Sequence, residues 1–510
     1  MDRTKSKKRV AINSSVGIAS KIVVAVLGLV LRRLFLHNLG AELSGLNSVF
    51  LNIIDFLNLA TVGFISSITP KLYDYSSVDD FEGLSKTIRL ARDFYFLIAI
   101  VVFFLGLVCS LFLQYTVADN SFSLLFLQLV FMTQVITQCI RLVSVPWTTL
   151  LEIREQAYIA IIYELIVSVA VYVLQGVAVV SFASFWMYLI INMIGQGVLF
   201  CIVFLKAKRT FPWLDLSLRN SKNERNNIFS SLRYTIPMQI SNFVFMSTDS
   251  LIISKKIGLK AANHYSNYMT IAMTVLAMYT MIQSAVNNYY GNRIRNDAPA
   301  EEKERFLFFV THLYYVVAIF GSVLYAVLID DFIVIWIGSE YVQETIVAIL
   351  FSVYMFSQML IGGVQNYLTD LGLFKDELKA NVTGAFLNLA ISIVLVSKLG
   401  IIGVILGTII GNTTRYIFRM KGCFKNIGKD TYKFIFISII YGGLFVLSLV
   451  ISLFVNNNID VSNMFLGMLV KLIVSLCIVF AVGIGGLWKR WEEIELRKIV
   501  LLKMKDVLKR

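Results

Sequence analysis

AINSSVGIASKIVVAVLGLVLRRLFLHN, residues 11–38, is the stretch that decides the fold. It is long and apolar enough to cross a bilayer, which takes about 20 residues. Yet Lys21 sits well inside it, and Arg32 and Arg33 sit near its far end. At helical spacing Asn13, Gly17, Lys21, Ala25, Gly28 and Arg32 share one stripe, while Val, Ile and Leu occupy the other faces. A charge at membrane depth costs about 2.5–3.5 kcal/mol, so it is expected to face other helices or a water-filled cavity. The arginines near the helix end can also snorkel to the headgroups. Lys21 is about 15 Å from the helix start and has no such exit. The stripe reads as one wall of a cavity that accepts something anionic.

The rest of the chain repeats the pattern of long apolar runs. Its 510 residues are 57% hydrophobic and 15% charged, with a mean hydropathy of +0.75, against about 45–50% apolar in soluble domains. Apolar runs recur at about 11–38, 44–70, 87–114, 121–148, 156–178, 182–205, 231–254, 263–290, 305–329, 344–370, 378–397, 400–420, 432–455 and 463–487. Together they predict an all-α polytopic membrane protein with about 14 transmembrane helices. The short alternating strands of an outer-membrane barrel are missing from the sequence pattern.

Basic residues favour alternate connections. They gather at the amino terminus, around Lys86 to Arg92, at Arg154, across 206–225, around Arg293 to Arg305, at Lys375 and Lys379, and from Arg415 to Lys429. The intervening connections are nearly free of them, apart from Lys255, Lys256, Lys260 and Lys398. By the positive-inside rule both termini are expected in the cytoplasm. The net charge of +14 thus orients a membrane protein and meets anionic lipid; its distribution argues against nucleic acid.

The polar stretch 206–230 is the longest connection and divides the first twelve spans. The expected organisation is an N-lobe at 1–205, a cytoplasmic linker at 206–230, a C-lobe at 231–420, an extra helix pair at 421–487 and a basic amphipathic tail at 488–510. A shift of 218 residues lays 34–53 over 252–271, so that Gly40 meets Gly258, Ser48 meets Ser266 and Ile53 meets Ile271. An even number of spans separates the copies, which predicts two six-helix lobes in parallel pseudo-repeat, a layout common in transporters.

Other spans carry polar groups. Gln134, Gln138 and Arg141 recur at helical spacing in the fourth, and Tyr354, Gln358 and Gln365 in the tenth. Single amides in membrane helices mostly bind a neighbouring helix, at about 0.6 kcal/mol each. The ionisable Asp55, Glu164 and Asp249 each need a partner or water, and are candidates for gating. Asp249 falls one residue from Arg32 in the repeat, so a pair between them is one expectation and two separate solvated charges another.

Nothing in the sequence suggests an enzyme. It holds no Gly-rich loop ending in Gly-Lys-Ser/Thr and no His/Cys/carboxylate cluster at metal-ligand spacing. The three histidines lie far apart, and the five cysteines are scattered through mostly apolar runs. No metal or cofactor is expected. The pattern is that of a carrier.

The first span ends in Arg-Arg-x-Phe-x-x-x-Leu-Gly, from Arg32 to Gly40. Gly45-Leu46-Asn47-Ser48 follows, then Thr61-Val62-Gly63, and late in the chain Leu399-Gly400-Ile401-Ile402-Gly403 through Thr408. In these residues the chain resembles the polysaccharide-export flippases of the multidrug/oligosaccharidyl-lipid/polysaccharide superfamily. The resemblance implies two lobes of six helices with an extra pair. It also implies translocation of oligosaccharide units, linked through diphosphate to a polyprenyl lipid, across the bacterial cytoplasmic membrane. A cationic central cavity is implied, for which Lys21, Arg32 and Arg141, with Arg33 beside them, are the matching positions here. Arginine can grip phosphate oxygens bidentately. The amides and ring of Gln134, Gln138, Gln358, Gln365 and Tyr354 would suit the sugars. Other polysaccharide assembly proteins are expected partners. The alternative is a cation-coupled multidrug exporter of the same superfamily, which would want acidic groups where the first span has Lys and Arg.

Overall fold

The computed structural model describes every residue except 1–2, 59–63, 65–67, 70, 73, 77, 116–121, 154–156, 219–236, 239, 244, 246, 291–298, 460, 462 and 486–510. The side chains of 3–15, 18, 157, 284–290, 370 and 484 are also outside the description. The amphipathic tail and residues 219–230 of the 206–230 connection therefore fall outside the described residues. Among these residues ten helices are long and apolar enough to cross a membrane.

The long helices are α1 (Arg3–Leu57), α2 (Phe81–Ser110), α3 (Leu124–Ile153), α4 (Ala157–Phe182), α5 (Phe185–Thr210), α6 (Leu259–Tyr290), α7 (Ala300–Trp336), α8 (Thr345–Asp370), α9 (Phe374–Leu399), α10 (Ile401–Ile427), α11 (Tyr432–Asn456) and α12 (Met464–Ile478). α1 is two helices joined at Gly40, whose φ of 85° and ψ of 170° leave the helical region. Only glycine takes such angles cheaply. The corresponding turn before α6 carries Gly258, with a φ of 125°. Both glycines of the aligned repeat thus break the backbone in the left-handed half of the map.

The chain forms two compact units, Met1–Asn263 and His264–Arg510. In the first, α2 packs on α3, α3 on α5, and α4 on both α1 and α5. Phe50 meets Phe131 edge-on at 5.3 Å between α1 and α3, and Phe64 stacks on Phe94 at 3.7 Å. Large apolar side chains on the outer faces, such as Phe104, Ile166 and Val180, are exposed, as lipid-facing residues must be. The start of the 206–230 connection differs from expectation, because residues 206–210 continue α5. Residues 211–218 then fold against the start of α2: Trp213 packs on Phe81 at 4.6 Å, and the Asp215 amide donates to Ser85 Oγ at 3.2 Å.

In the second unit the tightest pair is α9 with α10. Gly403, Gly407 and Gly411 recur every fourth residue along one face of α10. A Cβ at Gly403 would stand 2.6 Å from the Leu395 backbone, and one at Gly407 would collide with Ser392 Oγ. Small residues at this spacing let two membrane helices approach closely, which is how they associate without a hydrophobic drive. α8 covers both α7 and α10, burying Tyr314, Tyr354 and Tyr367. The pair α11 and α12 packs on α7. There Lys471 Nζ of α12 meets Asp331 Oδ2 of α7 at 2.7 Å.

Candidate cationic site

In the first unit the charged stripe of α1 meets polar groups from α3, α4 and α5. Arg32 is half-buried, and its Nη2 donates to Asn263 Oδ1 across 3.4 Å. It also lies within electrostatic range of the Tyr188 hydroxyl on α5, which in turn faces that of Tyr172 on α4. Tyr188 is held by the edge of Phe35, ring to ring at 5.0 Å, while Gln175 Nε2 donates to its backbone carbonyl at 2.8 Å. Tyr172 continues the series, because it interacts with both Arg141 of α3 and Glu164 of α4. Arg141 also lies within electrostatic range of Asp55 at the far end of α1, and Glu164 of Glu152.

Taken in the order Arg32, Tyr188, Tyr172, Arg141, each group lies within electrostatic range of the next, and Asp55 lies in range of Arg141. Arg141, Asp55 and Glu164 are exposed on the surface of the unit. Lys21 and Arg33 are exposed as well, and Lys21 makes no ion pair among the described residues. Two guanidinium groups, an ammonium and two phenol hydroxyls carry about fifteen donors between them for phosphate oxygens. Asp55 lies within electrostatic range of Arg141, so its carboxylate opposes an incoming anion there.

The other positions singled out in the sequence are placed differently. Gln134 is buried, and its Nε2 donates to Asn47 Oδ1 at 2.9 Å, so that amide ties α3 to α1. Gln138 is half-buried. Asp249 is only 1% exposed; its neighbour Ser250 accepts a short hydrogen bond from Asn52 of α1. In the second unit Tyr354 is buried beside Phe351 and Arg415. Gln358 and Gln365 are half-buried on α8, and the Gln365 carbonyl accepts from Thr369 Oγ1 at 3.1 Å.

Sequence reading missed one cluster. By charge pattern Arg415 and Arg419 belong to the basic connection after the twelfth span, but they lie inside α10 and are buried. Arg419 Nε donates to Glu377 Oε2 at 2.8 Å, and its Nη2 donates to Asn381 Oδ1 at 2.9 Å. Arg415 Nε reaches the same Asn381 oxygen at 3.1 Å. Arg419 and Glu377 side chains are 0% and 1% exposed. Glu377 with Asn381 on α9, and Arg415 with Arg419 on α10, are each four residues apart on one helix face. That paired spacing was the available signal.

No group of three His, Cys, Asp or Glu side chains that could hold a metal ion occurs among the described residues.

No protein-family model matches the chain, and no curated protein matches it in sequence. Solved structures do match. The lipid II flippase MurJ in an inward closed conformation superposes with a TM-score of 0.68 at 12% identity, over 91% of this chain and 98% of that one. An inward-facing multidrug resistance MATE family transporter of the MOP superfamily gives 0.63 at 14%, over 82% and 98%. A mutant form of the Vibrio cholerae MATE transporter VcmN gives 0.59 at 12%, over 84% and 99%. The chain has the fold these membrane transporters share. The resemblance read from its sequence therefore extends to nearly the whole architecture.

Proposed function

We propose that this chain is a flippase moving polyprenyl-diphosphate-linked oligosaccharide units from the inner to the outer leaflet of a bacterial cytoplasmic membrane, for surface polysaccharide. The observation that carries the reading is the cationic chain from Arg32 to Arg141 in the first unit. A diphosphate is the lipid-linked group such a chain suits best, because charge-assisted hydrogen bonds to phosphate strengthen as water is excluded. The likeness to a lipid II flippase supports the same substrate chemistry. On this reading the fold has about 14 spans in two six-helix lobes with an extra pair, both termini are cytoplasmic, and transport proceeds by alternating access. The chain is then a carrier and not an enzyme, served by anionic lipid and neighbouring assembly proteins.

A cation-coupled multidrug exporter is the second reading. It is favoured by the likeness to MATE transporters and by Asp55, Glu152 and Glu164 at one end of the site. One experiment separates them. Purified chain in neutral lipid is titrated with a short-chain polyprenyl diphosphate and, separately, with a hydrophobic drug cation. The flippase reading expects the diphosphate to bind and Arg141→Gln to weaken it. Binding of the cation alone, abolished by Asp55→Asn or Glu164→Gln, overturns it.

A further inference from the structure

Where α10 ends and α11 begins, the protein surface has a polar depression of about 690 Å³. Lys421, Lys425 and Lys429 line it together with Glu304, Asp430 and Thr431. Lys429 is paired with Glu304 at 2.5 Å. Lys421 and Lys425 are exposed and make no ion pair among the described residues. Three ammonium groups thus meet two carboxylates, and two of the lysines remain free to take an anion.

The helix above the depression says what kind of anion. Ile410, Ile417, Lys421 and Lys425 fall within an arc of roughly 80° on α10, at about 100° per residue. Ile410 and Ile417 are both exposed, and α10 is one of the membrane-spanning helices. One continuous outward strip therefore changes from apolar to cationic within a single turn, between Ile417 and Lys421. That change is what the boundary between acyl chains and phosphate groups requires. Across the connection, exposed Tyr432 and Lys433 open α11, and Phe436 and Ile439 beyond them are exposed as well. Aromatic and basic side chains at the end of a span are the usual anchors at headgroup depth.

We infer that the depression at the α10–α11 turn is a binding site for an anionic phospholipid, with its phosphate on Lys421 and Lys425 and an acyl chain along Ile417 and Ile410. This site is separate from the cationic chain of the first unit and does not depend on the transported substrate. Its occupant is a resident bilayer lipid that fixes the ends of three helices, α7 through Glu304, α10 and α11.

The test titrates the detergent-purified full chain with dioleoyl phosphatidylglycerol or dioleoyl phosphatidylcholine and counts bound lipid by native mass spectrometry. The chain should retain phosphatidylglycerol in preference to phosphatidylcholine. Lys421→Gln/Lys425→Gln should weaken phosphatidylglycerol on the order of thirtyfold, at the usual contribution of a basic side chain near an anionic surface, and leave phosphatidylcholine unchanged. Ile417→Ser keeps both lysines and should weaken phosphatidylglycerol too. Lys208→Gln/Arg209→Gln, at the end of α5, is the control for general electrostatics. An equal loss in that control, or none in the lysine pair, overturns the site. Displacement of the lipid by millimolar inorganic phosphate would show a free-anion site and overturn the lipid assignment.

Discussion

Glu42 and Lys260 occupy equivalent places in the two aligned turns, 218 residues apart, and their side chains meet with Nζ 3.3 Å from Oε1. Each follows its positive-φ glycine, Gly40 or Gly258, by two residues. A residue that contacts its own counterpart marks a two-fold relation between the two turns. Here the counterparts carry opposite charge, so the contact attracts where an identical pair would repel. Gly45 makes the approach possible, because a Cβ there would collide with the Leu259 carbonyl oxygen.

Lys260 is exposed and Glu42 half-buried at the surface, so a coupling energy of about 0.2–1 kcal/mol is expected. Glu42→Lys or Lys260→Glu alone should lower the melting temperature slightly, and the swapped double variant should recover it. Gly45→Val should cost more than either, since it meets backbone and not a movable side chain. Additive losses in the double variant would mean that the charges do not interact.

The Glu377–Arg419 pair should behave in the opposite way. Both side chains are almost wholly buried, so neutralising Glu377 leaves the Arg419 guanidinium without a counter-charge in low dielectric. Glu377→Gln should cost about 3–5 kcal/mol, read as loss of melting temperature in detergent. Glu377→Leu/Arg419→Met should recover only part of it, because the buried Arg415 then also lacks a counter-charge. Arg419→Lys should not recover it, since Lys cannot bind Glu377 and Asn381 together through one fork.

Asp215 offers a pH-dependent signal outside the membrane spans. The Ser217 amide donates to its carboxylate at 2.8 Å, and this, then the Ser217 hydroxyl, holds Asp215 below the usual carboxylate range. A depressed carboxyl stabilises the folded form above its unfolded pKa, and the effect is lost as pH falls through the folded value. Acidification should therefore loosen residues 211–218 from α2 and change the fluorescence of Trp213, which packs on Phe81. Asp215→Asn should flatten that change; an unaltered titration would remove Asp215 from the cause.

Transport gives the test of the cationic chain. Neutralising Lys21, Arg32 or Arg141 should lower surface polysaccharide without lowering the amount of chain in the membrane. Loss of one charged hydrogen bond costs about 1.5–3 kcal/mol, or roughly tenfold to a hundredfold in rate. Arg141→Lys should keep part of the activity, since the charge stays and the fork is lost. Asp55→Asn should not abolish export, because the carboxylate competes with the anion for Arg141. Normal export from the triple-neutral variant would falsify the assignment.

Much of this was legible because it is local. The α1 stripe, the glycine turns and the apolar runs depend on residues within a few turns of each other. Arg415 and Arg419 were not legible, because a positive charge near the end of an apolar run looks like a loop. Their partner Glu377 is 42 residues from Arg419, and only the approach of α9 to α10 across Gly407 brings them together. The tyrosine links are harder still. Tyr172 and Tyr188 look like ordinary aromatic residues of apolar spans, and only the packing of α4 on α5 sets them between Arg32 and Arg141.

Lys471 and Asp331 also bear on how the chain is made. Asp331 is synthesised 140 residues before the lysine that neutralises it. At about 5–20 residues per second, that leaves it waiting for roughly 7–28 s with α7 already emerging. The apolar run of that span ends at 329, so during that interval Asp331 sits at the end of the span, where water can solvate it. The arrival of α12 ends the wait and gives the carboxylate its ammonium partner. A chain cut short before α12 would keep the Asp331 carboxylate without that ammonium.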